Sequence, residues 1–188
     1  MSQQHSSVVR VRITTMALLV SALAFAGTAS ADSKAEIDTG VAAALKQFYA
    51  QNDAHRELGA KAAGVLVFPR VTKGGAGIAG TYGEGALVVH GRTVAYYKLT
   101  AASLGATLGV AQRREVVLFM TEGARDRFVL SHGWTIGADA GVAVVSMGAG
   151  GQYDTETLRK SILTFVFGEK GLIGDVSLEG TKISKITA

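Results

Sequence analysis

From residue 64 onward, glycine breaks the chain every few positions into short runs of branched and aliphatic residues. Long helices cannot carry this texture, because each internal glycine costs about 1 kcal/mol against alanine. The runs at 65–68, 86–90, 93–99, 102–110, 115–120, 134–147, 162–167 and 172–179 read instead as strands of an antiparallel meander. His90-Gly91-Arg92 has the form of a tight hairpin connection, with Gly91 supplying a positive φ. Two runs carry their glycines on one face. In 102–110, Leu104, Ala106, Leu108 and Val110 alternate with Ser103, Gly105, Thr107 and Gly109. In 134–146, Trp134, Ile136, Ala138, Ala140, Val142 and Val144 oppose Gly137, Asp139 and Gly141. Barrel curvature is the simpler account of such bare faces, and the close approach of another backbone or of a ligand is the alternative.

Helical spacing is confined to the start and to one internal segment. Ile37, Val41, Leu45 and Phe48 form one stripe between residue 32 and about residue 52, and Ser33 with Glu36 has the spacing of a capping box. A shorter helix is expected from Asp53, turning Leu58 and Ala62 inward and stopping at Gly64. Residues 121–132 return to helical spacing through Ala124 and Phe128 and end at Gly133. The predicted fold class is α+β: a glycine-rich antiparallel β-sheet or barrel-like core covered by N-terminal helices and one internal helix.

Residues 1–31 read as a secretory signal, with Arg10 and Arg12, an apolar run over 13–26, and Ala29-Ser30-Ala31 before Asp32. The run is short of the ~20 apolar residues a span requires. The expected organisation is a signal peptide over 1–31 and one domain over 32–188. The expected destination is the periplasm or the exterior, with peripheral attachment to membrane. The chain has no cysteine, hence neither disulfides nor a cysteine for lipid attachment. Its net charge of +4 falls to +2 once Arg10 and Arg12 leave with the leader. That balance lacks the concentrated basic footprint of a nucleic-acid binder.

Chemistry-bearing motifs are scarce. Gly75-Ala76-Gly77-Ile78-Ala79-Gly80 spells the dinucleotide string, but Tyr82-Gly83-Glu84-Gly85 leads into a strand where a helix is required, and no acid follows between Glu84 and Glu115. No nucleotide or other cofactor is expected. His55, His90 and His132 lack ligand spacing and read as surface or turn residues, so no metal is expected. No nucleophile elbow occurs, and Asp139 reads as a structural acid. The cations are more suggestive: Lys61, Arg70 and Lys73 flank the 65–68 run beside a glycine-rich loop, and Lys182 and Lys185 are expected to share a face of an extended C-terminal run. Backbone N–H groups of such a loop near cations make an anion pocket.

Four stretches taken together carry a resemblance: Ala63-Gly64-Val65-Leu66-Val67-Phe68-Pro69 with Lys73-Gly74-Gly75; Gly80-Thr81-Tyr82-Gly83-Glu84-Gly85-Ala86; Phe165-Val166-Phe167-Gly168-Glu169-Lys170-Gly171-Leu172; and Val176-Ser177-Leu178-Glu179-Gly180-Thr181-Lys182-Ile183. In order and spacing they resemble the SYLF, or Ysc84-type, domain family across residues 32–188. The resemblance implies a non-enzymatic domain that binds phosphoinositides and other anionic phospholipids at membranes. Lys73 and Lys182 lie inside the matching strings, and Lys61, Arg70 and Lys185 join them by charge and proximity. The competing expectation is a structural or envelope-stress protein whose partner is another protein.

Overall fold

A computed structural model describes residues 33–131, 134–136, 142–146, 159–171, 178 and 180–186. The leader, His132, Gly133, Asp139 and nearly all of the expected 172–179 strand lie outside the described residues.

The first helix, α1 (Lys34–Gln51), begins as its sequence requires. The Ser33 side chain accepts from Glu36 N–H at 3.3 Å, and the Glu36 carboxylate accepts from Ser33 N–H at 2.8 Å. It buries Ile37, Val41, Ala44 and Phe48 against Val65, Val67, Val116, Leu118, Leu163, Phe165 and Phe167 of the sheet. Each full burial of such an aliphatic or aromatic chain contributes roughly 1.5–3 kcal/mol. Its exposed edge is tied down by Asp38, which accepts hydrogen bonds from Thr93 Oγ1 at 2.8 Å and Tyr96 Oη at 2.9 Å.

Helix α2 (Asp53–Lys61) is capped by Asn52, whose side chain accepts from Ala54 N–H at 2.9 Å. Its stop differs from expectation: Ala62 leaves the helix in an extended conformation, and Gly64 is already the first residue of a strand. The inward residue is also different. Leu58 and Ala62 are only partly buried, whereas His55, expected at the surface, is fully enclosed. Its ring stacks on Phe48 with centroids 4.1 Å apart, and Nδ1 lies 2.9 Å from the Phe48 carbonyl. A carbonyl only accepts, so Nδ1 carries the proton. The imidazole thereby becomes a flat, satisfied core residue.

The strands depart most from the sequence reading. Five of the eight expected runs, from 65–68 to 115–120, merge into two very long strands, β1 (Gly64–Val89) and β2 (Arg92–Phe119), joined by a two-residue turn at His90 and Gly91. Both turn residues have positive φ, 49° and 75°, as a primed hairpin turn demands. The ribbon bends at register shifts after Phe68, Ala76 and Leu87. Bending doubles β1 back so far that a Cβ on Gly85 would overlap the Val67 carbonyl oxygen. Glycine here permits backbone-on-backbone packing, the alternative to simple curvature.

The rest of the sheet grows from β2. After α3 (Glu122–Leu130), capped by Thr121 Oγ1 on Ala124 N–H at 3.2 Å, come β3 (Trp134–Thr135), β4 (Val142–Ser146), β5 (Ile162–Gly171) and β6 (Lys182–Lys185). Among the described residues the order is β3-β6-β2-β5-β4 with β1 also on β2, and the sheet is not closed into a barrel. All pairings are antiparallel except β4 with β5. A second apolar cluster fills the face away from α1, with Leu66, Phe68, Leu87, Leu99, Phe119, Phe128, Trp134 and Ile183.

Candidate functional site

Alongside the α1 core, the helix and the sheet border a cleft of about 390 Å³. One wall is the helix face of Glu36, Gly40, Ala43 and Gln47. The other is formed where β1, β2 and β5 each meet an irregularity. β1 bulges between Phe68 and Val71, which turns Arg70 outward. The β2–β5 register slips between the Gln112↔Lys170 and Arg114↔Phe167 pairs, with Gly168 at φ +66° absorbing the extra length. Phe167 lies in the α1-facing core, so its partner Arg114 and the Gln112–Lys170 pair point to the same side. A Cβ on Gly168 would stand 2.5 Å from an Arg114 guanidinium nitrogen, so the missing side chain is what lets Arg114 lie there.

The charge of this cleft is positive. Arg70, Arg114 and Lys170 face one carboxylate, Glu36. Glu36 is already engaged by the helix cap, and the Ser33 backbone N–H, then its hydroxyl, hold its pKa below the ordinary carboxylate value. Arg113 also borders the cleft, but its side chain belongs to the opposite face of β2, where Nε meets Glu115 Oε1 at 2.8 Å. Glu115 is fully buried, and burial pushes its carboxyl up while Arg113 opposes the rise. That pair is internal and leaves the three outward cations to define the site.

The five cations singled out in the sequence do not form one cluster. Arg70 lines the cleft. Lys73 is a strand residue of β1, buried to 7% exposure opposite Ala111, and is not available as a surface charge. Lys61 ends α2 with its Nζ 3.7 Å from Glu57. Lys182 and Lys185 are both exposed on β6, but three residues of strand put them on opposite faces, contrary to the expected shared one. The glycine-rich 75–80 stretch lies wholly within β1 and opens no helix. Among the described residues, no three His, Asp or Glu side chains group to hold a metal ion, and no helix is long and apolar enough to cross a membrane.

Arg114 and Lys170 escaped the sequence reading because only the β2–β5 pairing joins them. A signal did exist for Lys170, which lies inside the third of the four quoted strings. A comparison with protein-family models bears on that same region. Residues 100–187 match the Ysc84 family, described as Las17-binding protein actin regulators. By this match the region is similar to a Ysc84 domain. The matched residues hold most of β2 and all of β3 to β6, including Arg114, Lys170 and Lys182. Arg70, Lys73 and α1 precede them, so the cleft joins the matched Ysc84 region to a helix that lies before it. A search of curated proteins found no match.

Proposed function

We propose that the chain is a non-enzymatic module that binds anionic phospholipid headgroups, phosphoinositides among them, at a membrane surface. The observation that carries this reading is the convergence of Arg70, Arg114 and Lys170 on one open cleft, with Arg113 neutralised behind them. Arg guanidinium groups bind phosphate oxygens bidentately and Lys adds a mobile point charge, which suits a phosphorylated headgroup. The leader composition supports export to the periplasm or exterior, where the domain meets membrane peripherally. A second reading, a protein partner, is favoured by the family's description as Las17-binding; in this chain it takes the form of an envelope protein docking on the same cations.

Co-sedimentation with phosphatidylserine or phosphoinositide vesicles separates the two. Arg70 and Lys170 are exposed, unlike Lys73, so they can be reversed without disturbing a buried position. Each cation near an anionic surface contributes on the order of 1 kcal/mol, so Arg70→Glu with Lys170→Glu is expected to weaken vesicle binding by well over tenfold. Equal binding by the wild type and the folded double variant would remove the cleft from the account. Wild type that binds no vesicle would favour the protein partner.

A further inference from the structure

The middle of the β1–β2 ribbon has a composition unlike any other described surface. Residues 74–83 and 99–112 contain no charged side chain, and the register lays one against the other, from Gly74↔Val110 to Gly83↔Leu99. The ribbon turns sharply within this stretch. Gly77 has φ +76°, a Cβ on Gly75 would overlap the Ile78 carbonyl oxygen, and the pairing jumps from Ala76↔Leu108 to Ile78↔Leu104. At the corner apolar side chains stand in the open: Ile78 is 66% and Val110 61% exposed, with Tyr82 41% exposed on the second limb.

Cations stand where each limb leaves the corner. On one limb Lys170 pairs with Gln112, the last uncharged residue before Arg113. On the other, Lys182 pairs with Thr100, which is itself opposite Tyr82. The nearby acid Glu84 is buried and accepts a hydrogen bond from Tyr82 Oη, so it presents little negative charge at the rim. An uncharged apolar corner with a basic collar and an amphipathic tyrosine at its edge matches the layers of an anionic bilayer surface: acyl boundary, interface and headgroup. On both limbs flanking the corner the backbone is paired in the ribbon's own ladder, which lowers the cost of leaving water there.

We propose that this corner inserts shallowly into the bilayer, with Ile78 and Val110 below the headgroups, Tyr82 at the interface, and Lys170 and Lys182 on the phosphates. The proposal rests on the lipid-binding reading above and adds to it the depth and orientation of the bound domain. Because Lys170 belongs both to the collar and to the cleft, insertion sets the cleft at headgroup level.

The chain has no cysteine, so single-site labelling is direct. Ile78→Cys, Val110→Cys and, as a control on the exposed end of α1, Gln51→Cys are each coupled to an environment-sensitive fluorophore and mixed with phosphatidylserine/phosphatidylcholine vesicles. The corner labels are expected to shift to the blue and brighten severalfold, and to be quenched by lipids brominated near the top of the acyl chain, while the label at 51 is unchanged. In unlabelled protein, Ile78→Ser with Val110→Ser is expected to weaken vesicle binding roughly tenfold or more, since each removes an aliphatic side chain from the acyl boundary, with an unaltered melting temperature. If the wild type sediments with anionic vesicles but the corner labels stay unshifted, the insertion is wrong and headgroup binding survives. If the wild type binds no vesicle, the insertion falls together with the reading it rests on.

Discussion

His55 shows how one side chain couples the fold to pH. Burial pushes its imidazole pKa down, and the contact with the Phe48 carbonyl only partly offsets that. With a folded-state pKa below the unfolded one, the native protein binds fewer protons. The stabilisation is therefore complete above the ordinary value of about 6.5 and is lost as pH falls through the lowered folded value. Wild-type melting temperature is expected to drop between about pH 7.5 and pH 5. His55→Phe, which keeps a flat ring against Phe48, is expected to show a shallower drop. Parallel pH profiles would mean that His55 titrates alike in both states. His55→Ala, which removes the stack as well, is expected to cost roughly 2–4 kcal/mol.

Among the elements, the doubled β1 strand makes the sharpest demand. A Cβ at Gly85 would collide with the Val67 carbonyl oxygen, whereas a Cβ at Gly80 would meet open space. Gly85→Ala is expected to destabilise by about 3 kcal/mol or to prevent folding, and Gly80→Ala to change stability by less than about 0.5 kcal/mol. Denaturant unfolding of the two variants measures the contrast, and similar losses would show that the limbs are not in backbone contact. The same strand marks the limit of the sequence. Capping boxes and 3.6-residue spacing are local, so the three helices were legible, as was the hairpin at His90-Gly91. Glycine is ambiguous: at Gly91 it ends a strand, whereas at Gly75, Gly83 and Gly85 it lets one continue through a bend. Five of the expected short runs therefore fused into β1 and β2. His55 was misplaced for a related reason, since a lone histidine on a short helix gives no local sign that Phe48 covers it.

For the molecule as a whole, the candidate site is a product of pairing. Arg70, Arg114 and Lys170 come from three strands and meet through the β1 bulge and the Gly168 irregularity. Arg70 was legible from its place beside the glycine-rich stretch. Arg114 was not, because its neighbour Arg113 turns inward to Glu115, and only strand alternation on a known register tells the two apart. Lys73, taken from a matching string, proved to be a buried strand residue, while Lys182 fell at the rim of the uncharged corner. On the lipid-binding reading, the outward cations and the apolar corner, linked through Lys170, contribute two terms of different salt dependence. Contacts between cations and phosphates weaken as the Debye length shrinks from about 14 Å at 0.05 M salt to about 4 Å at 0.5 M, whereas apolar burial does not.

The most direct test is a titration of the folded wild-type domain with vesicles of rising phosphatidylserine content, repeated across that salt range. Affinity is expected to climb steeply with anionic lipid, to fall at high salt, and to leave a weak salt-resistant residue on neutral vesicles. Binding that ignores both lipid charge and salt, or no binding at any composition, would contradict the account.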